Sequence, residues 1–132
     1  MKPLSILLIL LMTFTSCSKD DKANNEGSLS TPKTITVGQA FSGQIGSHGV
    51  SYYKFTISSP QTYSIILNNL ESNLLVQLFD DMNYETLLNT NDDNDGDGQV
   101  IMWDGMSAKT YYLQVNEWDG KAGTFTININ VY

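Results

Sequence analysis

The 132 residues include no arginine, one cysteine and one histidine. A lone cysteine excludes an internal disulfide, and one cysteine with one histidine cannot furnish a zinc cluster or a pair of imidazole ligands. Seven lysines stand against 14 aspartates and glutamates, a formal charge of −7. Without guanidinium groups and with that deficit, the chain lacks the cations that displace counterions from a phosphate backbone, so nucleic acid is excluded as a partner. Catalytic pairs are missing as well. His48 stands in Gly46-Ser47-His48-Gly49, which has the composition of a turn, and no Gly-x-Ser-x-Gly elbow occurs. The acids crowd into segments that read as loops, not onto strands facing a cleft as two-carboxylate hydrolysis requires. No enzyme is expected, and the length allows one domain.

What is present begins with Met1-Lys2-Pro3, an apolar run from Leu4 to Phe14, and the small residues Thr15 and Ser16 before Cys17. These are the parts of a secretory signal. The run is shorter than the about 20 residues a bilayer-spanning helix needs. The arrangement resembles the lipobox of bacterial lipoproteins, with Phe14 where leucine is usual. That resemblance implies removal of residues 1–16 as a signal peptide and acylation of Cys17, and two or more acyl chains anchor a protein stably where one does not. Residues 17–32 carry one large apolar side chain, Leu29. They are expected to form a flexible tether, because so little apolar surface cannot offset the entropy of ordering. The start of this stretch, Cys17-Ser18-Lys19-Asp20-Asp21, resembles the short acidic export signal of surface lipoproteins. It implies a domain held at the outer membrane and facing outward.

From residue 33 to 132 the apolar period is two. Tyr53, Phe55 and Ile57 alternate with Tyr52, Lys54 and Thr56, and Phe125, Ile127, Ile129 and Val131 alternate with Thr124, Thr126, Asn128 and Asn130. One face buried and one wet is the pattern of antiparallel strands packed on a second layer. Further strands are expected at 34–37, 40–45, 62–68, 73–80, 99–103 and 110–116, divided by turn-forming clusters. No segment has a sustained helical stripe. The fold expected is an all-β antiparallel sandwich or jelly roll of about eight strands.

The order of Ser51-Tyr52-Tyr53-Lys54-Phe55-Thr56-Ile57, Tyr63-Ser64-Ile65-Ile66-Leu67, Asn73-Leu74-Leu75-Val76-Gln77-Leu78-Phe79-Asp80, the acidic Gly-rich loop and Thr110-Tyr111-Tyr112-Leu113-Gln114-Val115-Asn116 resembles the bacterial pre-peptidase C-terminal domain. That family is a small jelly-roll module usually attached behind secreted proteases, with collagen-binding relatives. Ala108-Lys109 stands where the family prefers Ala-Gly, and Phe125 where it prefers Tyr. No protease precedes the domain in this sequence, so the role of a removable appendage does not carry over.

One loop has metal-binding spacing. In Asp93-Asn94-Asp95-Gly96-Asp97-Gly98-Gln99-Val100-Ile101-Met102-Trp103-Asp104, carboxylates occupy the first, third and fifth positions and glycine the sixth. Gln99 would offer its backbone carbonyl and Asp104 a closing carboxylate to a calcium ion. The flanks read as strand, which excludes an EF-hand, and the alternative is a solvated acidic loop. Four aspartates at 92, 93, 95 and 97 supply half of the −8 left once Lys2 is removed with the signal. Trp118, in an Asn-Glu-Trp-Asp-Gly loop, and Trp103 are the candidates for stacking on a glycan or anchoring a protein partner, or for capping the core. The sequence thus reads as a non-catalytic, lipid-anchored surface module with a binding or structural role, calcium being its one candidate cofactor.

Overall fold

The computed structural model describes residues 25–68, 72–92, 98–104 and 107–132. Among them the two-residue alternation becomes nine strands: β1 (Lys33–Thr34), β2 (Phe41–Ile45), β3 (Val50–Thr56), β4 (Tyr63–Asn68), β5 (Leu74–Phe79), β6 (Leu87–Asn91), β7 (Gln99–Trp103), β8 (Thr110–Glu117) and β9 (Gly123–Val131). They form a five-stranded sheet in the order β1-β3-β8-β5-β6 and a four-stranded sheet in the order β2-β9-β4-β7. Every pairing is antiparallel except that of β1 with β3. The expected sandwich is therefore the fold. The strand not anticipated is β6, whose Leu-Leu-Asn-Thr-Asn sequence has no apolar alternation.

Alternate residues of each central strand point inward and are buried: Tyr53 and Phe55 on β3, Tyr111, Leu113 and Val115 on β8, Ile65 and Leu67 on β4, and Phe125, Ile127 and Ile129 on β9. They meet in one core between the sheets. Each large apolar side chain so buried contributes about 1.5–3 kcal/mol. Tyr53 packs edge-on against Phe41 and Phe125, and Phe55 stacks on Tyr111. Gly43 on β2 leaves room for the Phe125 ring, which a β-carbon there would strike at 2.5 Å.

Apart from the β5–β6 hairpin and the parallel β1, successive strands change sheets, so the connections gather at two ends of the sandwich. The β2–β3, β4–β5, β6–β7 and β8–β9 connections leave from the first end, and the β3–β4, β5–β6 and β7–β8 connections from the second. Residues 25–32, the last part of the stretch expected to be a tether, are bonded to the sandwich. The Asn25 side chain accepts the Gly46 amide at 3.1 Å. Glu26 donates its amide to the Ser51 hydroxyl, accepts the Tyr52 amide at its carbonyl, and takes the Tyr53 hydroxyl and the Lys33 ammonium on its carboxylate. Burial, followed by the Glu26 carboxylate beside it, pushes the Tyr53 hydroxyl far above the ordinary phenol range, so it remains a donor.

The outer edges of the two sheets meet where β6 lies beside β7. The Asn89 and Asn91 side chains donate to the outward carbonyls of Met102 and Val100 at 3.1 and 2.7 Å. They thereby cover half of an edge that could otherwise pair with another chain. Replacing both asparagines by alanine should lower stability by about 0.5–1.5 kcal/mol per bond in denaturant unfolding. It should also produce self-associated species in sedimentation velocity, and a variant that stays monomeric would show that these side chains do not guard the edge.

Candidate binding surface

Among the described residues, two surfaces set an exposed large apolar side chain on a loop fixed by hydrogen bonds. The first lies on the outer face of the five-stranded sheet. Tyr52 of β3 and Tyr112 of β8 alternate away from the core, and Tyr84 from the β5–β6 connection covers both, with ring centroids 5.0 and 5.7 Å away. Phe79 packs edge-on against the same ring at 5.3 Å. Tyr84 holds a left-handed backbone with φ of 58°, a conformation a bulky side chain adopts only when its surroundings impose it. Asp81 imposes it here. Its carboxylate accepts the amides of Asn83 at 2.8 Å and Thr86 at 2.7 Å. The Thr86 amide foremost holds that carboxyl below the usual range. The connection is thereby folded back over the sheet.

Opposite it, the Ser28–Thr31 turn is closed by reciprocal backbone bonds of 3.1 Å. Between the two lies a groove of about 550 Å³ lined by Ser28, Leu29, Ser30, Met82 and Asn83. Leu29 and Met82 are 52% and 63% exposed, and no lining residue is charged. Amides continue the surface along the sheet: Gln114 donates to Asn116, and Asn116 to Gln77. Uncharged apolar groups beside tyrosines and amides suit protein or peptide recognition. Among the described residues that line the groove, no nucleophile is paired with a base.

The second surface is the first end of the sandwich. Glu117, at the close of β8, is only 4% exposed. Its carboxylate accepts the amides of His48 and Asp119 at 2.6 Å and of Gly120 at 3.0 Å. Burial alone would raise this carboxyl, but the amides of His48, Lys121, Asp119 and Gly120 outweigh it and hold it below the usual carboxylate range. Ser47 donates to the Gly120 carbonyl at 2.7 Å, so the β2–β3 and β8–β9 turns are fastened together. Gly120 has φ of 74°, and a β-carbon there would meet the His48 ring at 2.8 Å. Trp118, 57% exposed, stands on this frame with its own amide donating to the Asn73 carbonyl.

Of the residues singled out from sequence, Trp118 is thus exposed on a fixed loop. Trp103 closes β7, and its side chain lies outside the described atoms. Cys17 and Asp93, Asp95 and Asp97 lie outside the described residues. Gln99 and Asp104 do not come together. Five steps along the extended β7 separate them by roughly 17 Å at about 3.4 Å per residue, at opposite ends of the sandwich, and Asp104 accepts the Thr62 hydroxyl at 2.6 Å. The twelve-residue calcium loop with Asp104 as its closing ligand is therefore corrected, because a strand runs through its second half. The Gln99 side chain points into the interior. Among the described residues no three carboxylate, imidazole or thiol groups converge. Leu29, Met82 and Tyr84 were not anticipated. The one local signal was Asp81-Met82-Asn83, whose spacing allows an aspartate to cap its own turn.

By sequence, no protein-family model and no curated protein matches the chain. In three dimensions it is similar to the pre-peptidase C-terminal domain of a collagenase from Bacillus anthracis, over 80% of this chain and 98% of that one, at 16% identity and a TM-score of 0.63. It is also similar to Aeromonas hydrophila PliG, a periplasmic inhibitor of g-type lysozyme, over 75% of this chain and 99% of that one, at 16% identity and a TM-score of 0.51. The fold is the β-sandwich that the order of motifs implied.

Glu117→Gln should destabilise the protein by about 1.5–3 kcal/mol, the range for hydrogen bonds to a charged group. Because the folded carboxyl lies below its usual 4.5, the contribution is complete above that pH and fades as the pH falls through the folded value. The stability difference between wild type and variant, measured by urea unfolding, should be flat at neutral pH and shrink in acid. A difference independent of pH would remove the charge from the explanation.

Proposed function

We propose that this chain is a non-catalytic, lipid-anchored module of a bacterial outer envelope that binds a protein partner in the groove beside Leu29 and Met82. The observation that carries the reading is that groove: two large apolar side chains held open to solvent by a fixed turn on one side and an Asp81-folded loop on the other. Leaving such groups exposed has no benefit for folding, whereas burying them against a partner does. That a sandwich of this fold from another bacterium inhibits a lysozyme supports a protein as the class of ligand. The signal, Cys17 and the acidic stretch after it support anchoring and an outward orientation.

Leu29→Asp with Met82→Asp tests the groove. Crosslinking in the native envelope should capture a partner with wild type, and the double variant should weaken that binding by roughly 30-fold or more, the loss of at least about 2 kcal/mol expected of a central contact. Equal capture by both would overturn the groove reading.

Calcium remains a second proposal, for the carboxylates of Asp93, Asp95 and Asp97 with Gln99. Its support is their spacing and the departure of both strand ends, Asn91 and Gln99, from one end of the sandwich. Titration calorimetry should give a dissociation constant of about 10⁻⁴ to 10⁻³ M. Asp95→Asn should abolish the heat and Asp104→Asn leave it unchanged. Absence of heat in wild type would refute the proposal.

A further inference from the structure

We infer that the end of the sandwich bearing Trp118 rests on the lipid bilayer, with its indole in the interfacial layer. The inference builds on the reading that Cys17 is acylated. The chain meets the sandwich at Asn25, whose side chain accepts the Gly46 amide and abuts Gly49. Ser47 and His48 of that same turn are fastened to Gly120 and Glu117. The point of entry and Trp118 therefore belong to one end of the molecule. Seven residues, 18 to 24, and so eight chain steps, separate Cys17 from Asn25. At about 3.6 Å per residue they span at most about 29 Å. A leash of that length holds this end near the membrane at high effective concentration, so a modest contact suffices.

The contact has the chemistry of an interfacial anchor. An indole combines an apolar body with one N–H donor and favours the boundary between headgroups and acyl chains. Trp118 is 57% exposed on a turn already ordered by Glu117, so little freedom is lost when it inserts. Among the described residues, the exposed ionisable side chains beside it are His48, Asp119 and Lys121, of which Asp119 and Lys121 offset one another. Asp92 leaves β6 at the same end, two strands from β8 in the sheet order. That is about 10 Å, close to one screening length in physiological salt. The docked surface should therefore be zwitterionic, since anionic lipid would be repelled. The groove lies on the sheet face and stays open when this end is docked.

The test uses the full chain made in a lipoprotein-processing bacterium, carrying Trp103→Phe so that Trp118 is the only indole, in phosphatidylcholine vesicles. Acylation is checked by mass on the same sample. Docking predicts that Trp118 emission shifts to shorter wavelength, is quenched by brominated acyl chains and is shielded from iodide, with a smaller effect when phosphatidylglycerol is added. Ala122→Cys, labelled with an environment-sensitive dye in the Trp103-containing protein, gives an independent reading from the same turn. Acylated protein whose position 118 stays open to iodide overturns docking alone. A mass without acyl chains overturns the anchored reading and docking together. Shielding by envelope polysaccharide and not by lipid overturns docking in favour of sugar stacking.

Discussion

The carboxylate of Glu117 is withdrawn from water and satisfied by backbone amides, and the first end of the sandwich is organised around it. A buried carboxylate without partners would cost several kcal/mol, so the amides of His48, Asp119 and Gly120 must stay where they are. Two turns, each crossing between the sheets, are thereby held against each other. The Gly46–Gly49 turn in its fixed form offers the amide that Asn25 accepts, and the β8–β9 turn in its fixed form presents Trp118. One acid thus connects the chain's entry, the closure of the sandwich and the exposed Trp118.

Charge is distributed to match. The outward faces of both sheets are built mainly from threonine, serine, asparagine, glutamine and tyrosine, while most acids lie in connections. Where acids do touch the frame they bind amides, hydroxyls or cations: Asp81 folds its own loop, Glu117 gathers two turns, Asp104 accepts the Thr62 hydroxyl, and Asp80 pairs with Lys109. A net negative chain can therefore present neutral surfaces for contact without placing repulsive charge on them.

The sandwich was legible because burial on one face imposes a period of two, and β3, β8 and β9 carry it without interruption. β6 was not, since its residues are half solvated and its asparagines serve an edge instead of a core. At Asp104 the metal-ligand spacing competed with the strand expected at 99–103, and the extended Gln99–Trp103 segment carries Asp104 away from the loop. The docking of residues 25–32 rests on side-chain bonds from Asn25 and Glu26 to groups 18 to 27 residues away. Apolar content, the property that marks a segment as ordered or not, is silent about such bonds. The groove escaped for a related reason: its walls are more than 50 residues apart in sequence, and neither is apolar enough alone to draw notice.

The strap from Asn25 to Thr31 also has a mechanical meaning. The described chain enters at one end of the sandwich and leaves at Tyr132 beyond the other, where the last amide bonds the Thr62 carbonyl. A pull on the residues before Asn25 reaches the fold first through the bonds of Asn25 and Glu26, well before it loads the sheet ladders. Those bonds also position the Ser28–Thr31 turn, one wall of the groove. Tension would therefore act on the shape of the groove while the core stayed intact, so that a load-bearing junction and a contact surface share the same few hydrogen bonds.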